Sequence, residues 1–477
     1  MPPGKLRENE DRMRGKMAYN FIDCDRDQLF LLPPSMRDWL PEGQLVWFIL
    51  DAVDQLDLSS FYRRYRSDGW GRAAYPPKMM VALLLYAYCT GIRSSRKIEQ
   101  ACQENVAFKV ITGGRVPDHT TISRFRQRFQ EELAGLFTEV LWLCGQAGLV
   151  KVGTVVVDGT KMAGNASLSA NRTWRHLEEE VERMLKEAEA ADAAEEAKPG
   201  DDVPKELVDR KKRLARLKRA KEELERVAAE EAAERERELR ARREEEGGFG
   251  KRKRGRKPKP PDPRPEPEAK VNLTDPESRI MKARQGYLQG YNAQLVVTKD
   301  QIIVAAEVVQ DQNDVRQLHP MLKRAKEELE GAGIEKRPKV AVADAGYFSE
   351  ENIERADEDG PELVIAPTSD RRLAQKLAEE GPPRGRIPRG LSARELMERK
   401  LLTKRGQALY GLRKVVEAVV GQVKALGDRF MRRGRRAARS EFRLLCACHN
   451  FLKLWRAVLT GVAGKWKRST GPLLQPA

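Results

Sequence analysis

The sequence predicts an α/β fold, a mixed sheet flanked by helices, with an all-α N-terminal domain and a charged helical-hairpin insertion. Three observations predict it. Apolar residues recur at helical spacing from about Ser35 to Gly148, then the pattern changes at Lys151 to the β-branched run VKVGTVVVDGTKM. A long stretch dominated by Glu, Arg, Lys, Ala and Leu follows, and strand character resumes only at Gly290.

The elements follow in order. Residues 1–34 read as an irregular arm with Asp23, Asp25 and Asp27, closed by Pro33-Pro34. The helical domain is 35–148, where Pro76-Pro77 opens KMMVALLLYAYC, Gly91 ends it, and Ser94-Ser95 starts another helix. Asp118 to Thr121 supply turn and cap chemistry before a helix with Ile122, Phe125, Phe129, Leu133 and Phe137 on one stripe. Arg124, Arg126 and Arg128 stud that helix. A DNA-recognition helix and a solvated polar face both fit this pattern.

The sheet domain is predicted to comprise 149–170 and 271–460, with the first strand ending at Asp158. Between its two parts, 171–246 reads as two antiparallel helices with stripes through Leu177, Val181, Met184 and through Leu207, Leu214, Leu217, Leu224. Residues 247–270 are crowded with Pro, Lys and Arg and read as a disordered basic tether. Its Arg254 and Arg256 resemble a minor-groove hook, against a solubilising linker as the plainer reading. GYNAQLVV and QIIVAAEVV form a hairpin about Lys299-Asp300, a helix through Leu318 to Leu329 follows, and KVAVA is a strand stopping at Asp344. ELVIA is a further strand, Pro367 to about Lys404 reads as irregular and basic, and the last long helices begin near Gly406, with 461–477 as a tail.

Composition bounds the function. With 89 Lys and Arg against 72 Asp and Glu, the net charge of +17 attracts polyanions, and nucleic acid is the expected partner. The longest apolar stretch, near Met79–Cys89, is too short for a bilayer span of about 20 residues, and the first residues lack the apolar core of a secretory signal. A cytoplasmic protein without membrane attachment is expected. The six cysteines are scattered, and Cys446-Ala-Cys448-His449 lacks a second ligand pair, so core packing is expected over a metal framework.

The chemistry rests on separated acids. Asp158 follows VVV and Asp344 follows VAVA; if those strands are parallel neighbours, both carboxylates emerge at one sheet edge. Each alone is also an ordinary turn opener. On the late helix Tyr410, Arg413, Glu417 and Lys424 fall within an arc of about 60° at about 100° per residue, opposite the stripe Leu412, Val416, Val419 and Val423. A glutamate there could reach a metal held by the aspartates, while Arg413, Lys424 and Tyr410 contact DNA; the plainer reading is an Arg413–Glu417 surface pair.

The spacing of Tyr410, Arg413, Glu417 and Lys424 matches the tyrosine-arginine-glutamate-lysine signature of DDE transposases of bacterial insertion sequences, in the insertion-sequence-four/five-like group. VVVDGTKM and VAVADAGYFS resemble its first and second aspartate motifs. PDHTTISRFRQRF, GYNAQLVV and the stretch from Glu441 through Asn450 are similar to the subgroup named after insertion sequence 1182. The resemblance implies an RNase H-like sheet, a DNA-binding helical N-terminal domain, and Asp158, Asp344 and Glu417 as catalytic acids holding two Mg²⁺ ions, with Mn²⁺ as a substitute. It implies double-stranded DNA as partner (terminal inverted repeats and target), self-association on that DNA, and a bacterial, nucleoid-associated location. The activity implied is cleavage at the element's ends and strand transfer into target DNA. A related nuclease without strand transfer and a non-catalytic DNA-binding protein are the alternatives. Tyr347 and Asn292 are expected to shape the site, and His119 and His449 to be structural.

Overall fold

Among the described residues, eight strands build the part of the chain that carries the acids. The computed structural model describes residues 35–66, 73–195, 205–248, 260–283, 286–355, 360–383, 385–388 and 390–463. Arg254 and Arg256 lie outside the described residues. The chain divides into two compact units at Pro41/Glu42; the described part of the first carries a 3-10 turn, Met36–Trp39.

In the second unit, seven helices come first: α1 (Leu45–Val53), α2 (Ser59–Tyr62), α3 (Pro77–Cys89), α4 (Ser95–Glu104), α5 (Val106–Thr112), α6 (His119–Arg128) and α7 (Gln130–Gln146). The strands are β1 (Thr154–Ala163), β2 (Asn171–Thr173), β3 (Lys270–Asn272), β4 (Arg279–Ala283), β5 (Gly286–Thr298), β6 (Ile303–Val309), β7 (Val340–Ala343) and β8 (Glu362–Ile365). β1, β7 and β8 are parallel neighbours and β5 runs antiparallel on the other side of β1. Along its outer edge β5 pairs β4 with its first residues and β6 with its later ones. The result is the mixed, RNase H-like sheet. Val155, Val156, Val157 and all of β7 are buried, as parallel strands covered on both faces must be.

The insertion leaves and re-enters through β2 and β3, paired antiparallel at its neck. α8 (Trp174–Glu195) and α9 (Lys205–Gly248) are antiparallel: Glu180 pairs with Arg213, while Lys221 lies over the Trp174 ring. Leu177, Val181 and Met184 pack against Leu217, Ala220, Leu224 and Val271. α9 is longer than its partner, and its far half turns to the sheet domain through Glu223–Arg279 and Glu234–Arg316, each 2.8 Å.

Helices cover the sheet. α10 (Leu318–Gly331) packs on β5 and β6, and the short α11 (Glu350–Glu354) lies between β7 and β8 in the chain. α15 (Arg413–Leu426) packs on β1 and β5, and α16 (Arg435–Leu459) lies between β6 and the N-terminal helices α3 and α7. α16 is buried almost continuously from Ala437 to Phe451, so its polar groups need internal partners. Arg443 donates to Glu328 at 2.6 Å and to the Ala134 carbonyl at 2.9 Å, and lies over the Phe137 ring. Asn450 both donates to and accepts from the backbone of Ile303, holding the start of β6. Cys446 and Cys448 are buried free thiols, Cys448 donating to the Leu85 carbonyl, and His449 bonds the Gln301 carbonyl.

Three sequence expectations are corrected. The strand at Asp158 does not end there, because β5 continues to pair it as far as Ala163. The basic tether is ordered from Pro260 onward: the carbonyls of Ala269 and Pro267 accept from the backbone N–H groups of Trp174 and Arg175, satisfying donors that a first helical turn leaves free. Proline loses a donor but keeps this acceptor. The stretch after Pro367 contains two helices, α12 (Asp370–Glu380) and α13 (Ala393–Leu402). α13 starts with a capping box in which Ser392 and Glu395 bond each other's backbone, a pattern that the run SARE carries in plain view.

Candidate active site

The site begins where parallel pairing stops. Val157 is in register with Ala343, so Asp158 and Asp344 are the next residues on two adjacent strands and share a face of the sheet. Asp158 Oδ1 accepts from the Gly159 amide at 2.7 Å. Asp344 caps the short turn after β7, its Oδ1 accepting from the Gly346 amide at 2.9 Å.

Both carboxyls are held above their ordinary range. Burial raises Asp158 first and the Asp344 charge adds to it, bringing it to about 7 against the opposing Gly159 hydrogen bond and Arg413. Burial is also the largest cause at Asp344, with Asp314 raising it further and Arg413 and the Gly346 bond opposing. Two carboxylates at one edge with only partial compensation favour a cation between them.

A third acid, Asp314, sits on the neighbouring face. It pairs with Lys161 at 3.1 Å and accepts from Asn292 and Gln294, both at 2.7 Å. Gln294 in turn accepts from the hydroxyl of buried Tyr347. Gly159 leaves room for this cluster, since a Cβ there would stand 2.7 Å from an Asp314 oxygen. Asn292 and Tyr347 thus belong to a network beneath the two aspartates. Sequence reasoning missed Asp314, because an aspartate in QDQND after a strand looks like any turn residue.

The four signature side chains lie on two helices. Tyr410 is on α14 (Lys404–Gly411), and Arg413, Glu417 and Lys424 are on α15; Leu412 closes one and opens the other. Val416, Val419 and Val423 are buried, which turns the opposite face outward. Arg413 is the electrostatic centre: it binds Asp370, pairs with Glu417 at 3.4 Å, and lowers both Asp158 and Asp344. Tyr410 donates to the same Asp370 at 2.7 Å. Lys424 reaches β1, donating to the Lys161 carbonyl at 3.4 Å. Glu417 therefore lies in sequence between Arg413, which acts on both aspartates, and Lys424, which reaches β1, yet its own side chain is 56% exposed. Among the described residues no three His, Cys, Asp or Glu side chains stand close enough together to hold a metal ion. The geometry brings Asp158 and Asp344 together and leaves Glu417 one arginine away.

Residues 34–128 match the family described as Transposase domain (DUF772), and residues 256–451 match the Transposase DDE domain. The chain is a DDE transposase. It is of the insertion-sequence-four/five-like kind, and as such a DNA-cleaving enzyme. No curated protein and no solved structure matches it. DDE transposases use divalent metal ions, and their substrate is DNA. The DDE match includes Asp344, Tyr410, Arg413, Glu417 and Lys424; Asp158 precedes it, across the hairpin insertion.

The transposase also carries the N-terminal arginines singled out in its sequence, and they do not form one basic face. Arg124 is exposed. Arg126 is turned inward, donating to the Tyr88 hydroxyl at 3.2 Å and the Arg93 carbonyl at 2.7 Å. Arg128 lies over the Tyr65 ring at 4.9 Å and bonds the Arg64 carbonyl. The reason is geometric: a spacing of two residues on a helix is about 200°, so the middle arginine faces away from the other two. No helix among the described residues is long and apolar enough to cross a membrane.

Proposed function

We propose that the transposase cuts DNA at the ends of its element and joins the liberated 3′ ends to target DNA, with Asp158, Asp344 and Glu417 as the catalytic acids. The observation that carries this reading is the adjacency of Asp158 and Asp344 where the parallel pairing of their two strands stops, each carboxyl raised by burial and by neighbouring negative charge.

The two aspartates fit hard divalent cations, being carboxylate oxygens whose charge Arg413 offsets only in part. Asp158 and Asp344 would hold Mg²⁺, two ions in the full site with Mn²⁺ as a substitute, and Glu417 would complete the set. Bound there, the ions supply the positive charge that favours attack of a water, and later of a 3′ hydroxyl, on a phosphodiester. The chain's own groups position the DNA. Arg413 and Lys424 neutralise phosphates and the Tyr410 hydroxyl donates to one, so no side chain needs to bond covalently to DNA.

Residues 35–148 serve DNA binding in this reading, with Arg124 as their exposed contact; Arg126 supports it from within, and Arg128, Arg254 and Arg256 add phosphate contacts. The ends are inverted repeats brought together by a self-associated transposase, in the subgroup of insertion sequence 1182, acting on nucleoid DNA. Incubation with paired element ends, a target plasmid and Mg²⁺ tests this: joined products support strand transfer, whereas cut ends alone indicate a nuclease.

A further inference from the structure

A second basic feature lies away from the aspartates. A cleft of about 1070 Å³ opens between α4, α6 and the segment joining α15 to α16. Arg96, Arg124, Arg126, Arg432 and Arg433 line it, and Glu277 is the one carboxylate among the described residues of its lining. Glu277 is already engaged, its Oε2 accepting from the Arg435 amide at 2.9 Å.

None of these five arginines pairs with a carboxylate among the described residues, whereas Arg93 and Arg436, which also line the cleft, pair with Glu441 and Glu131. Arg96 and Arg124 are exposed and make no hydrogen bond or ion pair among the described residues. Arg126 is more than nine-tenths buried, and its Nε has no partner. Arg432 stands close enough to Arg126 that burial and then the repulsion between them work against its charge, with Tyr88 and Glu441 opposing. A buried guanidinium nitrogen left unbonded is destabilising, so such a group calls for an acceptor from outside. Guanidinium forks arranged about a cleft suit the paired oxygens of phosphates.

The cleft is also tied to the catalytic strand. Arg433 donates from Nε to the Asn165 carbonyl at 3.1 Å, and Asn165 lies two residues beyond the end of β1. From Asp158 to Ala163 that strand covers about 16 Å at about 3.3 Å per residue, the length of about five base pairs.

We propose that this cleft holds the phosphate backbone of double-stranded DNA flanking the cut phosphodiester, about half a helical turn from it. The proposal rests on the transposase reading only for the identity of the nucleic acid. These contacts supply affinity and register rather than base recognition.

The test uses the full chain and a labelled duplex carrying an element end, titrated at several salt concentrations. In R96A/R124A/R433A, whose three side chains are accessible, the slope of log affinity against log salt is expected to shrink by about 2 to 3 units, at about 0.9 per phosphate contact. The preference for the end over a random duplex should stay within about twofold, because backbone contacts add equally to both. Replacing three arginines of the hairpin, R183A/R235A/R240A, should leave the slope as in the parent; an equal loss there would overturn the proposal. So would an unchanged slope in the cleft variant. If R96A/R124A/R433A lost its thermal transition, R124E alone would be read the same way. An equal slope change with single-stranded RNA of the same length would overturn the duplex assignment. Arginine-dependent binding by a protein that never cuts DNA would contradict the transposase reading while leaving the cleft assignment intact.

Discussion

Asp158 and Asp344 are joined by register: the residues just before them, Val157 and Ala343, are paired in parallel strands, and the two aspartates stand side by side where that pairing stops. Everything chemical in the molecule is arranged about that pair. The Asp314 charge raises both carboxyls and Arg413 lowers them.

Glu417 carries the first prediction. Its pair with Arg413 spans 3.4 Å on an exposed helix face, worth only about 0.3–0.5 kcal/mol. Glu417→Gln should therefore leave the melting temperature within a degree or two while Mg²⁺-dependent cleavage is lost. Cleavage at the parent rate would reduce Glu417 to a surface partner of Arg413.

A second prediction concerns Asp370. Its carboxylate binds both Tyr410 and Arg413, the groups proposed to meet DNA phosphate, and so competes with it. Asp370→Asn should raise duplex affinity by up to about fivefold, matching about 1 kcal/mol for a half-exposed pair, when measured by fluorescence anisotropy. A fall in affinity would show that Asp370 orients the two side chains instead.

The Arg443–Glu328 pair predicts a stability effect without a catalytic one. Both side chains are nearly inaccessible; burial works to raise the Glu328 carboxyl, but Arg443, Thr138 and Arg324 outweigh it and hold it below the ordinary value. Glu328→Gln should cost about 3–5 kcal/mol in denaturant unfolding, since it strands a buried guanidinium between α16 and the sheet. A loss below about 1 kcal/mol would contradict this account of how the helical and sheet parts are joined.

His449 predicts a pH dependence. Burial, helped by Lys453 and Arg456, lowers its pKa from 6.5 to about 4 despite the Gln301 carbonyl. The unfolded chain then binds the proton more tightly, so this contribution to stability is complete above pH 6.5 and is lost as pH falls towards 4. His449→Gln should flatten the stability profile across that window in chemical denaturation. An unaltered slope would mean that other groups govern acid unfolding.

Much of this was legible in the sequence, for reasons that particular residues make plain. Valine runs before Asp158 and Asp344 marked strands buried on both faces, and the aspartates after them marked where the parallel pairing stops, though not where β1 ends. The valine stripe of α15 likewise announced which face would be turned outward. Other features depend on distant partners. Residues 159–163 stay in a strand only because β5 is long enough to pair them, and Asp314 joins the site only through Lys161, Asn292 and Gln294. The break between α14 and α15 interrupts a pattern that reads as one helix, and the order in residues 260–270 comes from carbonyls meeting a helix start far back in the chain. Arg126 is the instructive case: its position on α6 was readable from helical angle alone.

The most direct measurement is cleavage of a labelled element-end duplex by Asp158→Asn in Mg²⁺, beside a binding titration of the same protein. Duplex affinity should stay within about threefold of the parent, as Asp158 contacts no phosphate in this account, while cleavage disappears in Mg²⁺ and Mn²⁺ alike. Cleavage at the parent rate by the Asp158→Asn protein would contradict the central claim that the paired aspartates form the catalytic centre.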